Sequence, residues 1–273
     1  MPEGPEIRRA ADQVEQAVKA GPVAEMYFAF PHLQSYEASF AQANVIKVET
    51  RGKAMLIRFD NGYTIYSHNQ LYGKWYVRSA YEYPVTKRQL RLAIHNEKKS
   101  ALLYSASEIE VLRDEEVEDY PFLAKIGPDI LNQETSPEEL YERITSRRFV
   151  NRKWSSLLLD QSFVAGIGNY LRSEILFEAG IHPGKRPADC TDEELEKAAQ
   201  ALVTMVERSY QTGGITVDEE TAARLKKRGQ SYAQRRHWVF NRDGEQCRID
   251  GTDIQKISAA SRRLYFCPTC QPE

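Results

Sequence analysis

The period of the apolar residues changes along this chain, and that change restricts the fold class more than any other feature. From residue 26 to 104 they fall in short runs rich in β-branched and aromatic side chains: Met26 to Phe30, Val45 to Thr50, Met55 to Phe59, Tyr63 to Ser67, Trp75 to Arg78, Leu90 to Ile94 and Ala101 to Tyr104. Runs of that length, separated by turn residues, read as strands. Asn61-Gly62 joins two of them as a tight hairpin, because both residues tolerate positive φ. The spacing points to a β-sandwich or barrel. On either side the period is helical. Ile7, Ala10, Ala11, Val14 and Val18 give Glu3 to Lys19 one apolar face, stopped by Gly21-Pro22. Ser136-Pro137-Glu138-Glu139 supplies an N-cap, a proline at the first helical position and a glutamate at N3. Thr191-Asp192-Glu193-Glu194 opens a second helix, followed by Leu195, Ala198, Ala199, Leu202, Met205 and Val206. The domain boundary is expected near Leu131 to Thr135, and the fold class is α+β.

A chain of 273 residues has room for about two domains, each with a core. With 41% hydrophobic and 28% charged residues it is globular, not disordered. No stretch approaches ~18 consecutive apolar residues, so no membrane span is expected. The first residues, MPEGPEIRRAAD, carry charge at once and lack the apolar segment of a signal peptide. A cytoplasmic location is the default. The net charge of -2 argues against a nucleic-acid partner, yet it averages two unlike parts. Residues 222–273 carry a net of +6 and the remainder a net of -8. That asymmetry suggests an anionic partner for the C-terminal arm, with a solvated tail as the alternative.

Three of the four cysteines lie in the basic arm: Cys247 and the C-x-x-C pair Cys267 and Cys270. Asp250 follows Cys247 at the same three-residue spacing. Two ligands three residues apart on a tight turn can reach one ion, and two such knuckles make a zinc ribbon. Asp is a harder and less common zinc ligand than thiolate. A metal-free hairpin with free thiols is the competing reading.

Further residue groups could carry chemistry. Pro2, once Met1 is removed, bears a secondary amine that titrates near pH ~8 and is partly neutral at pH 7. Such an amine can attack a sugar C1′ centre and form an iminium. Glu3 beside it could exchange protons. An ordinary frayed terminus is the alternative. Arg51-Gly52-Lys53, at a strand junction, suits a phosphate. Asn69-Gln70-Leu71-Tyr72-Gly73 places an amide, an apolar wedge and an aromatic in one loop, the residue types that fill a base stack when a nucleotide is extruded. Val164 to Gly168 forms a double turn between Trp154–Asp160 and Asn169–Ala179, where Gly166 and Gly168 allow unusual backbone conformations and let amide groups approach an anion. Ser261 to Phe266 reads as the second strand of the ribbon hairpin, with Arg262 and Arg263 at its tip.

Together the N-terminal PEGPE, the RGK loop, the GIGNY turn and an arginine-bearing hairpin before C-x-x-C resemble the formamidopyrimidine-DNA glycosylase/endonuclease VIII family. The stretches MPEGPEIRRAAD, ETRGKA and YSHNQLYGKW are similar to its endonuclease VIII branch, and the resemblance runs from Pro2 to Cys270. It implies an N-terminal helix on a two-layer β-sandwich (1–131), a helical domain with a helix–two-turns–helix (132–235) and a zinc-finger hairpin (236–273). It implies excision of oxidised bases from double-stranded damaged DNA by a monomer, followed by strand cleavage through β,δ-elimination; the endonuclease VIII-like loop points to pyrimidines, with an oxidised-purine glycosylase or a damaged-DNA-binding protein without catalysis as the alternatives. Pro2 corresponds to the Schiff-base nucleophile and Glu3 to the general acid/base. Lys53, Asn169 and Arg262 correspond to phosphate contacts around the lesion, and Gln70, Leu71 and Tyr72 to the void-filling loop. Glu6 and Glu174 fall in matching motifs without an assigned role. Zinc would be held by Cys247, Asp250, Cys267 and Cys270. Asp250 stands where the family has a fourth cysteine, and Arg263 where endonuclease VIII has proline.

Overall fold

The computed structural model describes residues 2–131 and 135–273. The chain divides into two compact units, one of Pro2 with Glu6–Lys125, the other of Glu3–Pro5 with Ile126–Glu273. The expected boundary at Leu131 to Thr135 includes residues 132–134, which lie outside the described residues. Among the described residues no helix is long and apolar enough to cross a membrane.

The first unit is a helix on two antiparallel four-stranded sheets. Helix α1 (Gly4–Val18) turns Ile7, Ala11, Val14 and Val18 inward. The strands are β1 (Glu25–Phe28), β2 (Val45–Arg51), β3 (Ala54–Phe59), β4 (Tyr63–His68), β5 (Lys74–Ser79), β6 (Leu90–His95), β7 (Lys99–Tyr104) and β8 (Glu108–Arg113), with a short α2 (Pro31–Gln34) after β1. One sheet runs β1-β6-β7-β5 and the other β2-β3-β4-β8. Their facing side chains, among them Phe28, Trp75, Leu92 and Leu103 from one sheet and Val48, Ile57, Phe59 and Ile65 from the other, share one core with the α1 stripe. Alternation is the reason: every second residue points to that core, except across the irregularity between Val45 and Lys47 in β2.

Two local expectations change. The β3–β4 connection is a three-residue loop, Asp60-Asn61-Gly62, in which Gly62 alone takes positive φ (80°). Asn61 instead accepts a hydrogen bond from the Tyr63 amide at 3.2 Å. Strand β8 is an addition to the expected strands and lies at the start of an acidic stretch. Its glutamates alternate with Ile109 and Val111, which pack on the core, so Glu108 and Glu110 fall on the other face.

In the second unit α3 (Pro137–Thr145) and α6 (Asp192–Thr212) begin at the expected capping boxes of Ser136 and Thr191. Between them lie a single turn, α4 (Trp154–Leu157), shorter than the expected Trp154–Asp160, and α5 (Asn169–Ala179), closed by Gly180 at φ 69°. Leu159 and Asp160 leave the helix through i→i+3 turns, their amides donating to the Ser156 and Leu157 carbonyls. Trp154, Phe163, Leu171, Leu202 and Met205 fill the core. Helices α7 (Glu219–Lys227) and α8 (Tyr232–Arg235) precede a hairpin of β9 (Gln255–Ala259) and β10 (Arg262–Phe266). A second small core, including Trp238, Val239, Ile254 and Tyr265, supports that hairpin.

Candidate active site

The double turn before α5 was expected to attract an anion, and it holds one supplied by the protein. The Glu3 carboxylate, 3% exposed, accepts from the backbone amides of Gly168 (2.7 Å), Tyr170 (2.8 Å) and Leu171 (3.3 Å). Orphan amides and the positive end of the α5 dipole both favour a carboxylate there. The turn is therefore filled by Glu3 and is not a vacant phosphate cradle. The same contact explains a glycine. At Gly166 the backbone needs positive φ (89°), but Gly168 has negative φ, and a Cβ there would lie 2.4 Å from the Glu3 Cδ. Gly168 is required by close approach, not by a forbidden conformation.

One turn into α5, Arg172 is buried and joins the turn to the hairpin. It donates to the carbonyls of Ser155 (2.6 Å), Ala259 (3.1 Å) and Arg263 (3.1 Å) and to Asn169 Oδ1 (2.7 Å). Burial, then the charge of Arg262, pushes its pKa down to about 10. Asn169 in turn donates through Nδ2 to the Arg263 carbonyl at 2.8 Å. The hairpin tip is a two-residue turn, Ala260-Ser261, with both φ values positive (52° and 58°). Positive φ at two non-glycine residues costs conformational energy, and the turn leaves Arg262 exposed. The second unit thus gathers Glu3, Asn169 and Arg262 around Arg172, a residue the sequence did not single out. Glu174, whose motif had no assigned role, is fully buried and accepts from the amides of Trp238 (2.8 Å), Val239 (2.9 Å) and Phe240 (2.9 Å) and from the Thr216 hydroxyl. It anchors the segment leading to the hairpin. His237 beside Thr216 is buried, and burial with the charges of Arg236, Arg242 and Arg248 pushes its pKa down to about 2.

In the first unit Pro2, Glu6, Asn69, Leu71 and Tyr72 help to line one cavity of about 380 Å³. Leu71 and Tyr72 are exposed. The loop carrying them closes tightly: the Gly73 amide donates to the Asn69 carbonyl at 2.7 Å, and a Cβ on Gly73 would lie 2.6 Å from Asn69. Gln70 has φ 49° and turns its amide to Glu108 Oε2 at 2.6 Å. Glu108 also accepts from Tyr66 (3.1 Å) and Tyr120 (3.3 Å), whose pKa is pushed up to about 12 by burial and that carboxylate. Lys53 sits in the β2–β3 turn, where Gly52 has φ 63°, and is 9% exposed. Burial lowers the pKa of His68, and the charge of Lys53 adds to that while Glu108 opposes it. Glu108 and His68 were missed because nothing local distinguishes them from other strand residues.

The four expected metal ligands converge. Ligand atoms of Cys247, Asp250, Cys267 and Cys270 lie within 4.8 Å of one another. Tetrahedral zinc with Zn–S near ~2.3 Å sets a sulfur–sulfur edge of about 3.8 Å. The Cys247 and Cys270 sulfurs are 3.9 Å apart, and Asp250 Oδ2 lies 3.0 Å from Cys270 Sγ and 3.2 Å from Cys267 Sγ. Gly251 at φ 79° and the Cys270 amide on Cys267 Sγ (3.4 Å) complete two turns of the kind that present ligand pairs. The donor set fits one metal ion.

The first unit thus presents the chain terminus on a cavity beside the exposed Leu71 and Tyr72, and the second presents a carboxylate buried on the α5 amides and an exposed arginine at a hairpin tip. Residues 1–107 match the formamidopyrimidine-DNA glycosylase N-terminal domain, and residues 126–221 match the formamidopyrimidine-DNA glycosylase H2TH domain. The chain belongs to the formamidopyrimidine-DNA glycosylase/endonuclease VIII family and is a DNA glycosylase with AP lyase activity in base excision repair. Within it the likeness is to endonuclease VIII. Endonuclease 8 of Escherichia coli is 47% identical over 271 residues, covering 99% of this chain and 100% of that protein, and that of Shigella flexneri matches to the same extent. The fold is that of the Lactococcus lactis formamidopyrimidine-DNA glycosylase, solved with DNA containing an AP site (TM-score 0.80, 21% identity, 99% and 100% of the two chains). The same protein with DNA containing an oxidised pyrimidine superposes at TM-score 0.81 with 21% identity over 100% of each chain.

Proposed function

We propose that this enzyme removes oxidised pyrimidines from double-stranded damaged DNA through a covalent intermediate on Pro2. The reading rests above all on Glu3, a carboxylate held on three backbone amides and one residue from the proposed nucleophile. With Met1 removed, the Pro2 nitrogen attacks C1′ of the extruded nucleotide. The N-glycosidic bond breaks and the base leaves with a proton. Glu3 takes the N–H proton from the now cationic Pro2 nitrogen and passes it to O4′ as the sugar ring opens, and the freed nitrogen lone pair closes to an iminium. That cation acidifies the C2′ proton, whose loss drives β-elimination of the 3′ phosphate; δ-elimination then expels the 5′ phosphate.

Lys53, Asn169 and Arg262 hold phosphates around the reacting sugar, fixing its position and stabilising the leaving charge. Leu71 and Tyr72 enter the stack in place of the extruded nucleotide, and Gln70, braced by Glu108, borders it. Zinc on Cys247, Asp250, Cys267 and Cys270 would stiffen the knuckles behind the strand that carries Arg262. The protein acts as a monomer, in the cytoplasm. The endonuclease VIII-like wedge loop favours pyrimidine lesions over purine ones. Excision assays on matched duplexes carrying an oxidised pyrimidine or an oxidised purine test this: the pyrimidine duplex is processed faster, and faster release of the purine refutes the preference.

A further inference from the structure

Charge in the first unit is unevenly placed. Residues 71–91 carry five Lys or Arg and one Glu, whereas residues 108–119 carry one Arg and seven Asp or Glu. Part of the basic stretch lines an open cleft of about 690 Å³ formed by Tyr72, Thr86, Lys87, Arg88, Gln89, Arg91 and Ser105. Among the described residues no carboxylate lines it.

The cations are positioned by neutral groups, so their charges stay available. Arg88 donates through Nη1 to the Tyr72 carbonyl, and its amide donates to Thr86 Oγ1 at 3.2 Å. Arg91 lies 5.1 Å from the Phe30 ring and donates to Gln89 Oε1 at 2.7 Å. Lys87 is exposed. Guanidinium groups fixed this way are preorganised for phosphate oxygens.

Place in the fold selects the ligand. Tyr72 and Arg88 line both this cleft and the cavity that contains Pro2, but Pro2 and Glu6 do not line the cleft. The cleft therefore adjoins that cavity, with Tyr72 and Arg88 between the two. A side chain inserted into a base stack stands between the two sugar–phosphate backbones. With the lesion strand at Pro2, cations in the adjoining cleft face the other backbone.

We propose that Lys87, Arg88 and Arg91 form a phosphate site for the undamaged complementary strand; this rests on the wedge role proposed above for Tyr72. It gives the enzyme a grip on duplex that a single strand cannot supply.

The test is equilibrium binding, by fluorescence anisotropy across a KCl series, to a duplex and to its lesion strand alone, each with a non-cleavable tetrahydrofuran abasic analogue. The probes are wild type, Lys87→Ala and Lys87→Ala with Arg91→Gln. Each lost phosphate contact is expected to make the log–log salt slope on duplex shallower by about 0.9, and the double variant to bind duplex about tenfold more weakly. Affinity for the single strand is expected to stay within about twofold. An unchanged duplex slope in a variant with wild-type thermal stability overturns the site. Equal losses on single strand and duplex overturn the strand assignment. Borohydride trapping by wild type on the cleavable abasic duplex checks the underlying reading separately, so a failure there is distinguishable from a failure of the cleft.

Discussion

Replacing Glu3 by glutamine separates what this residue does for the fold from what it does for the reaction. In the native protein one carboxylate oxygen receives the Tyr170 amide at 2.8 Å and the other receives Gly168 and Leu171 at 2.7 and 3.3 Å. Glutamine keeps one acceptor, and its NH2 group must face an amide that also donates. The net loss is one or two charge-assisted hydrogen bonds, about 1.5–3 kcal/mol each. The favourable end of the α5 dipole loses its anion, a further 0.3–1 kcal/mol or about 2 at most. Relaxation recovers part of this, so Glu3→Gln is expected to lower unfolding stability by about 3 kcal/mol. Urea denaturation read by fluorescence gives that difference directly. On folded protein, single-turnover assays are expected to show base excision falling further than elimination at a preformed abasic site, because excision alone needs a proton managed as the base leaves. A Glu3→Gln protein within about 0.5 kcal/mol of wild type that excises at the wild-type rate refutes both the structural and the chemical role.

Gly168→Ala, which puts a methyl 2.4 Å from the Glu3 Cδ, is expected to cost about 2 kcal/mol and to reduce excision in parallel; unchanged thermal unfolding and rate contradict the packing argument. His237 makes stability depend on pH. Its pKa is about 2 when folded but ~6.5 when unfolded, so the unfolded state binds the extra proton first. Stability is expected to fall by about 1 kcal/mol from pH 7 to 5.5, and His237→Asn is expected to flatten that segment of the curve. Metal analysis of purified protein is expected to find about one zinc per chain, with Asp250→Cys retaining it longer against a chelator; under about 0.2 zinc with DNA binding intact means the hairpin works without metal.

Local signals carried much of the fold. The 3.6-residue stripe of Ile7, Ala11, Val14 and Val18, the capping boxes at Ser136 and Thr191, and the β-branched and aromatic runs of β2 to β7 are written within a few residues of where they act. What escaped reading depends on distant partners. Gly168 is constrained by a carboxylate 165 positions earlier. Arg172 has no local signature, since its acceptors include Ala259 and Arg263, 87 and 91 residues away. Glu108 looked like part of an acidic run until β8 placed it opposite His68 in the register. The candidate site divided the same way. Its chemical groups, Pro2, Glu3, Lys53, Gln70 to Tyr72, Asn169, Arg262 and the metal ligands, stood out by residue type and motif. The residues that brace some of them, Arg172 behind Asn169 and Glu108 behind Gln70, are ordinary in sequence.

Covalent capture at the amino terminus tests the central claim most directly. Enzyme and abasic-site duplex are mixed with borohydride, and the cross-linked peptide is mapped. An adduct on the secondary amine of Pro2, in a chain that has lost Met1, is the expected result. No adduct, or one on an internal lysine such as Lys53, contradicts it.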